Sequence, residues 1–91
     1  MINVRRTGPM AFSVTIQDGG NSTHHDVTLS DADRKRLGGD AHAPETCVEA
    51  AFRFLLDREP KESILQRFDL MVIARYFPEF ERELPSYLSK S

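Results

Sequence analysis

The chain has 91 residues, with 12 basic and 14 acidic side chains, a net charge of −2 and one cysteine. This length fits one small domain and leaves no room for two. The lone cysteine, Cys47, excludes an intramolecular disulfide framework. The net charge argues against a strongly basic nucleic-acid-binding or membrane-binding protein, and the 40% of hydrophobic residues argues against global disorder.

Residues 1–10 mix polar residues with glycine and proline, which predicts a flexible N-terminal arm before a single domain over residues 11–88. This N-terminal stretch lacks the apolar segment of a signal peptide. The longest apolar run, residues 70–74, is far shorter than the roughly 20 residues that a membrane span needs. We therefore expect a cytoplasmic protein that makes no contact with a membrane.

A β-hairpin is predicted after this arm. Apolar and polar residues alternate over residues 12–17 and again over 24–29, which is typical of strands with one buried face. Turn-forming residues over 18–22 separate the two alternating segments. Two such strands joined by a short turn form an antiparallel hairpin.

Two helices are predicted to follow the hairpin. Ser30 can accept the amide N–H of Asp33 and so begin a short helix, which ends near Leu37 and can be closed by Gly38 and Gly39. The second helix begins at a proline and ends before the next one. Its limits and apolar stripe are given by Pro44, Val48, Ala51, Phe52, Leu55, Leu56 and Pro60.

A third helix is predicted after Pro60 from residues that recur at helical spacing. Asp69 interrupts this stripe and predicts a bend, and a short fourth helix over residues 79–84 is closed by Pro85. The residues that carry the third helix are Ile64, Leu65, Phe68, Val72 and Tyr76.

These elements predict an α+β fold in which a two-stranded antiparallel β-hairpin is followed by three or four helices packed on one face. An isolated hairpin is marginally stable, so its apolar face must meet the helices. Replacing Phe52 by alanine should then cost about 3–5 kcal/mol. The predicted core consists of Phe12, Val14, Ile16, Val27, Leu29, Val48, Phe52, Leu55, Ile64, Phe68 and Val72.

Residues with catalytic or metal-binding chemistry are few and scattered. His24 and His25 are neighbours on a strand and point to opposite faces, so they cannot easily share a metal ion. His42 and Cys47 would supply at most two of about four zinc ligands. Cys47 lies beside the apolar stripe of a helix, which is typical of a buried packing residue. We expect no enzyme activity, no metal, no cofactor and no small-molecule substrate.

Large apolar residues after Pro60 exceed what a thin core of this size can cover, which predicts a surface for a protein partner or a second copy of the chain. The candidate surface consists of Tyr76, Phe77, Phe80 and Leu84. We therefore interpret the chain as a non-enzymatic protein-interaction module, of which a homodimer is one form.

Part of the sequence resembles a small bacterial family of uncharacterised proteins. The resemblance is carried by FRFLLDREPKESIL at residues 52–65, FDL at 68–70 and RYFPEF at 75–80. It extends over residues 12–81 and implies a free-standing small cytoplasmic protein, without implying an activity or a ligand.

Residues 25–59 are also similar in layout to a ribbon-helix-helix DNA-binding domain, with a short strand, a helix, a glycine-containing turn and a second helix. The resemblance implies dimerisation by strand pairing and a ribbon in the major groove, and so an alternative function as a DNA-binding regulator. An upstream strand and a short first helix depart from that pattern. The DNA contacts under this alternative are Ser13, Thr15, Gln17, Arg34, Lys35 and Arg36.

Overall fold

The computed structural model describes residues 1–38 and 41–89. They form an α+β fold with a four-stranded mixed sheet of order β1-β2-β3-β4. A 3₁₀ turn at Lys61–Ser63 precedes the fourth strand. The elements are β1 (Ile2–Gly8), β2 (Ala11–Asp18), β3 (Asn21–Thr28), α1 (Asp31–Arg36), α2 (Pro44–Leu56), β4 (Arg67–Asp69), α3 (Val72–Tyr76) and α4 (Phe80–Leu88).

Strands β2 and β3 form the predicted antiparallel hairpin, with Asp18 opposite Asn21. Only Gly19 and Gly20 lie between these two residues. Gly19 has a φ of 64°, a conformation that a glycine adopts without steric cost and that two-residue hairpin turns require. This turn sets the register in which Phe12 and Val27 are opposite each other on the buried face.

The sheet has four strands rather than the predicted two. The first additional strand, β1, lies in the segment that was predicted to be a flexible arm, and it pairs antiparallel with β2. Ile2 and Val4 follow the alternation of a strand, but Arg6 occupies the next inward position. Its guanidinium lies 5.9 Å from the centre of the Phe12 ring. A charged residue therefore hides the alternation of this strand in the sequence.

The predicted third helix is wrong over residues 64–71. Ile64 has extended backbone angles, and Phe68 lies in β4, which pairs parallel to β3 with Phe68 beside Val27. Apolar residues four positions apart share a face of a strand as well as a face of a helix, so their spacing did not distinguish the two structures. Asp69, where a bend was predicted, is the last residue of β4, and the helix that follows is limited to Val72–Tyr76.

Helix α4 also differs from its predicted limits, because it continues through Pro85 to Leu88. Proline removes one helical hydrogen bond, but burial of Leu84 and Leu88 on the inner face favours continuation of the helix. At the start of α1 the predicted cap is present, with the Ser30 hydroxyl accepting the Asp33 N–H at 3.1 Å. Gly38 has the positive φ expected of a helix end, and Gly39 lies outside the described residues.

The core lies between the sheet and α2, whose Phe52 packs against His25 of β3 with ring centres 5.5 Å apart. Nine predicted core residues are buried, whereas Phe68 and Val72 are half-buried. Cys47 is fully buried, in agreement with a packing role. The nine are Phe12, Val14, Ile16, Val27, Leu29, Val48, Phe52, Leu55 and Ile64.

Candidate protein-binding groove

An apolar groove of about 340 Å³ lies beside β4, between the end of α2 and helix α3. Its walls come from consecutive segments of the chain between Leu55 and Phe77, which fold back around the groove. Apolar side chains dominate these walls, and Glu59, Ser63 and Tyr76 carry the polar groups among the described lining residues. The lining residues are Leu55, Glu59, Ser63, Ile64, Leu65, Phe68, Val72, Ile73, Tyr76 and Phe77.

Two large apolar side chains of the groove are open to solvent. Leu65 is 48% exposed and Tyr76 is 68% exposed, whereas Ile64 and Ile73 beside them are buried. Single exposed apolar residues are ordinary on a protein surface. Here they border one continuous apolar groove, which is the arrangement that marks interaction sites.

His25 holds the segment that carries Leu65 against the sheet. Its Nδ1–H donates to the carbonyl oxygen of Leu65 at 2.7 Å, and its Nε2 lies 2.9 Å from the Thr23 hydroxyl. A neutral imidazole satisfies both contacts, donating from one nitrogen and accepting at the other. Because His25 is buried, these bonds position the groove wall from inside the core.

Asp69 links β4 to the helix on the far side of the groove. One of its carboxylate oxygens accepts the Thr28 hydroxyl at 2.6 Å, and the other accepts the amide N–H of Met71 at 3.1 Å. These bonds fix the sharp change from strand to helix, so that α3 places Tyr76 at the groove.

A polar network attaches α4 to the end of α2 behind the groove. Arg58 donates to Glu79 at 2.9 Å, and its guanidinium lies 3.6 Å from the centre of the Phe54 ring. The hydrogen bond from Arg58 lowers the pKa of Glu79. The Tyr87 hydroxyl donates to Asp57, and this bond raises the pKa of Tyr87 because ionisation of the phenol would remove the donated proton.

The structure divides the predicted partner surface between the groove and the core. Tyr76 and Phe77 line the groove, but Phe80 and Leu84 are fully buried. Phe80 packs edge-on against Phe54 and so holds α4 on α2. Phe80 and Leu84 are therefore not part of the surface. Leu65 was missing from the predicted surface, because its spacing placed it in the apolar stripe of the predicted third helix.

The six DNA contacts of the alternative do not form one surface. Ser13, Thr15 and Gln17 lie on the sheet face opposite α2, because side chains alternate along β2. Arg36 of α1 instead pairs with Glu81 of α4 at 2.9 Å, on the helical side of the sheet. Arg34 lies near Asp31 at 3.9 Å, and Lys35 is exposed.

Strand β3 is paired along both edges within the chain, with β2 on one side and β4 on the other. The ribbon of a ribbon-helix-helix dimer instead pairs with a strand of the second subunit. On the β4 side the pairing covers Asp26–Thr28 of β3, so these three residues are not free for the cross-chain pairing that the layout resemblance implies.

Ser13, His24 and Asp26 form a small cluster on the open sheet face. His24 Nε2 lies 3.4 Å from the Ser13 hydroxyl and 3.3 Å from the Asp26 carboxylate. A nucleophilic triad needs the serine and the carboxylate at opposite nitrogens of the imidazole, and here both meet the same nitrogen. The cluster therefore lacks the geometry for proton relay.

Comparisons with known proteins identify no relative of this chain. No known protein-family model matches the chain, and neither the curated proteins nor the solved structures gave a match. Over residues 1–38 and 41–89, no three potential ligands among histidine, cysteine, aspartate and glutamate are grouped to hold a metal ion. None of the helices in the same residues is long and apolar enough to cross a bilayer.

Proposed function

We propose that this domain is a non-enzymatic protein-interaction module that binds an apolar segment of a protein partner in the groove beside β4. The observation that carries the proposal is a continuous apolar groove with Leu65 and Tyr76 exposed at its border. Covering these side chains removes apolar surface from water, which favours association by about 25 cal/mol per Å² before the costs of binding.

The lining of the groove favours a protein segment over a small substrate. Small-molecule sites combine an apolar wall with several convergent polar groups that fix the ligand. Among the described lining residues, Glu59, Ser63 and the hydroxyl of Tyr76 are the polar groups. Glu59 makes no hydrogen bond to Ser63, so no base among these residues is positioned to activate this hydroxyl, and the geometry supports binding rather than catalysis.

Selection from a random 12-residue peptide display library tests the proposal. We expect enrichment of peptides with large apolar side chains, and at least about tenfold weaker binding of a selected peptide to Leu65→Asp and to Tyr76→Ser. Met10→Ser is the matched control, because Met10 is 50% exposed and does not line the groove. Circular dichroism should show that all three variants remain folded.

Sedimentation velocity tests whether the partner is a second copy of the chain. A dimer that Leu65→Asp dissociates, and that Met10→Ser leaves intact, would support the interaction module and identify its partner as the same protein. A chain that stays monomeric and enriches no peptide, or enriches peptides whose affinity both groove variants leave unchanged, would refute the proposal.

A further inference from the structure

The outer edge of β4 is open in the described part of the chain. β4 is the last strand of the sheet and pairs only with β3, where Asp26 N–H donates to the Gln66 carbonyl at 2.8 Å and Leu70 N–H donates to Thr28 at 2.9 Å. In a parallel ladder, the backbone N–H and C=O groups of successive residues point alternately toward the neighbouring strand and away from it. Gln66 and Leu70 point toward β3. The backbone amides and carbonyls of Arg67 and Asp69 therefore point away from β3.

This open edge borders the apolar groove. Phe68, the central residue of β4, lines the groove, and the segment that leads into β4 contributes Ile64 and Leu65. The other edge strand, β1, contributes no lining residue. An extended peptide lying along β4 could thus pair with the backbone of Arg67 and Asp69 and direct alternate side chains into the groove, which is strand addition.

A charge in the groove adds chemical selectivity. Glu59 is half-buried and is the only charged lining residue among those that the structure describes. Neighbouring acids have partners, since Glu79 pairs with Arg58 and Glu62 with Lys61. Within the described residues, Glu59 makes no ion pair and no side-chain hydrogen bond. A cationic side chain on the occupant would complement it.

We propose that the groove recognises an extended peptide segment that adds as a strand to the open edge of β4, with an apolar side chain in the groove and a lysine or arginine opposite Glu59. This inference rests on the proposed function and names the chemistry of its partner. A helix laid in the same groove would use its apolar wall but would leave the backbone groups of Arg67 and Asp69 without protein partners.

N-methylation of the backbone amides of a selected peptide, one position at a time, tests strand addition. We expect about tenfold weaker binding where the amide faces β4 and little change at the intervening positions, because only alternate amides of an added strand point to its neighbour. Weakening at successive positions, or at none, would overturn strand addition.

A charge exchange tests the role of Glu59. The Glu59→Lys variant should bind a lysine-containing selected peptide about fivefold more weakly and should prefer the peptide in which that lysine is replaced by glutamate. Glu83→Lys is the control, because Glu83 lies on α4 and does not line the groove. If Glu59→Lys and Glu83→Lys showed the same preference between the lysine and glutamate peptides, the assignment of a cationic group opposite Glu59 would be overturned.

The outcomes separate this inference from the function on which it rests. Peptides that bind in the groove, as shown by Leu65→Asp, but lack the alternating N-methyl pattern would leave an interaction module with a different mode of recognition. A dimer through the groove with no peptide binding would also support the module while overturning an extended peptide as its partner. Loss of all groove binding would overturn both.

Discussion

Replacing Phe54 by alanine should remove the side chain that packs α2 against α4 and against the end of α3. Phe54 is fully buried, and its ring centre lies 5.9 Å from Phe77, 5.1 Å from Phe80 and 5.8 Å from Tyr87. The Arg58 guanidinium stacks on the same ring. Truncation of a buried phenylalanine costs about 3–5 kcal/mol, and edge-on aromatic contacts worth about 0.5–1.5 kcal/mol each place Phe54→Ala in the upper half of that range.

This loss is large relative to the stability expected for 91 residues, about 5–14 kcal/mol at 0.05–0.15 kcal/mol per residue. Urea denaturation followed by far-ultraviolet circular dichroism measures it, and the melting temperature should fall by about 15 °C or more. The control is Leu65→Ala, which should cost less than about 1 kcal/mol because Leu65 is 48% exposed. A loss below about 2 kcal/mol for Phe54→Ala would refute its central position.

Three further predictions concern single groups. His25→Phe should destabilise the protein by about 1–3 kcal/mol in urea, because the volume is kept but the carbonyl oxygen that accepts from Nδ1 loses its donor; an unchanged midpoint would contradict this role. In a Tyr76→Phe background, absorbance titration should place the pKa of Tyr87 above 10, and Asp57→Asn should lower it. Since folding raises the pKa of Tyr87, the hydrogen bond to Asp57 stabilises the fold below pH 10, and this stabilisation is lost as the pH rises through the pKa of the folded protein. A pKa of Tyr87 equal to that of a free tyrosine would refute the pairing. Cys47 should react with a thiol reagent only as the protein unfolds, so rapid labelling of the native chain would contradict its burial.

Local patterns predicted the elements that depend on neighbours in sequence. The hairpin follows from alternation on both sides of a glycine turn, and α2 begins at Pro44 as its sequence indicates. The Ser30 cap is local as well, because its hydroxyl and the amide that it accepts are three residues apart.

The two strands that were missed were hidden in the sequence for different reasons. β4 has only three residues and is held by β3, through contacts such as Thr28 with Asp69, which are 41 positions apart. β1 pairs with the next strand in the chain, but Arg6 interrupts its apolar alternation at a position beside Phe12, where the exposed guanidinium donates to the carbonyl oxygens of Gly8 and Pro9. The helical spacing around Phe68 was misleading because the partner strand of β4 is distant in sequence. The polar character of residues 1–10 was misleading because a charged residue interrupts the alternation of β1.

In the candidate site, too, some residues agree with the local sequence pattern and others depend on the tertiary structure. Of the residues that the apolar excess after Pro60 predicted as a partner surface, Tyr76 and Phe77 line the groove, and Leu65 lines it without having been predicted. Phe80 and Leu84 belong to the core.

By itself, the sequence determined an α+β domain with a β-hairpin and an amphipathic helix that begins at Pro44, because turn chemistry and periodic burial are local properties. That helix ends at Leu56, before its predicted limit at Pro60. Tertiary structure alone decided which apolar side chains remain exposed. Parallel pairing of β4 with β3 turns the chain after Pro60 away from a helix, and this change places Leu65 at the border of the groove rather than in the core.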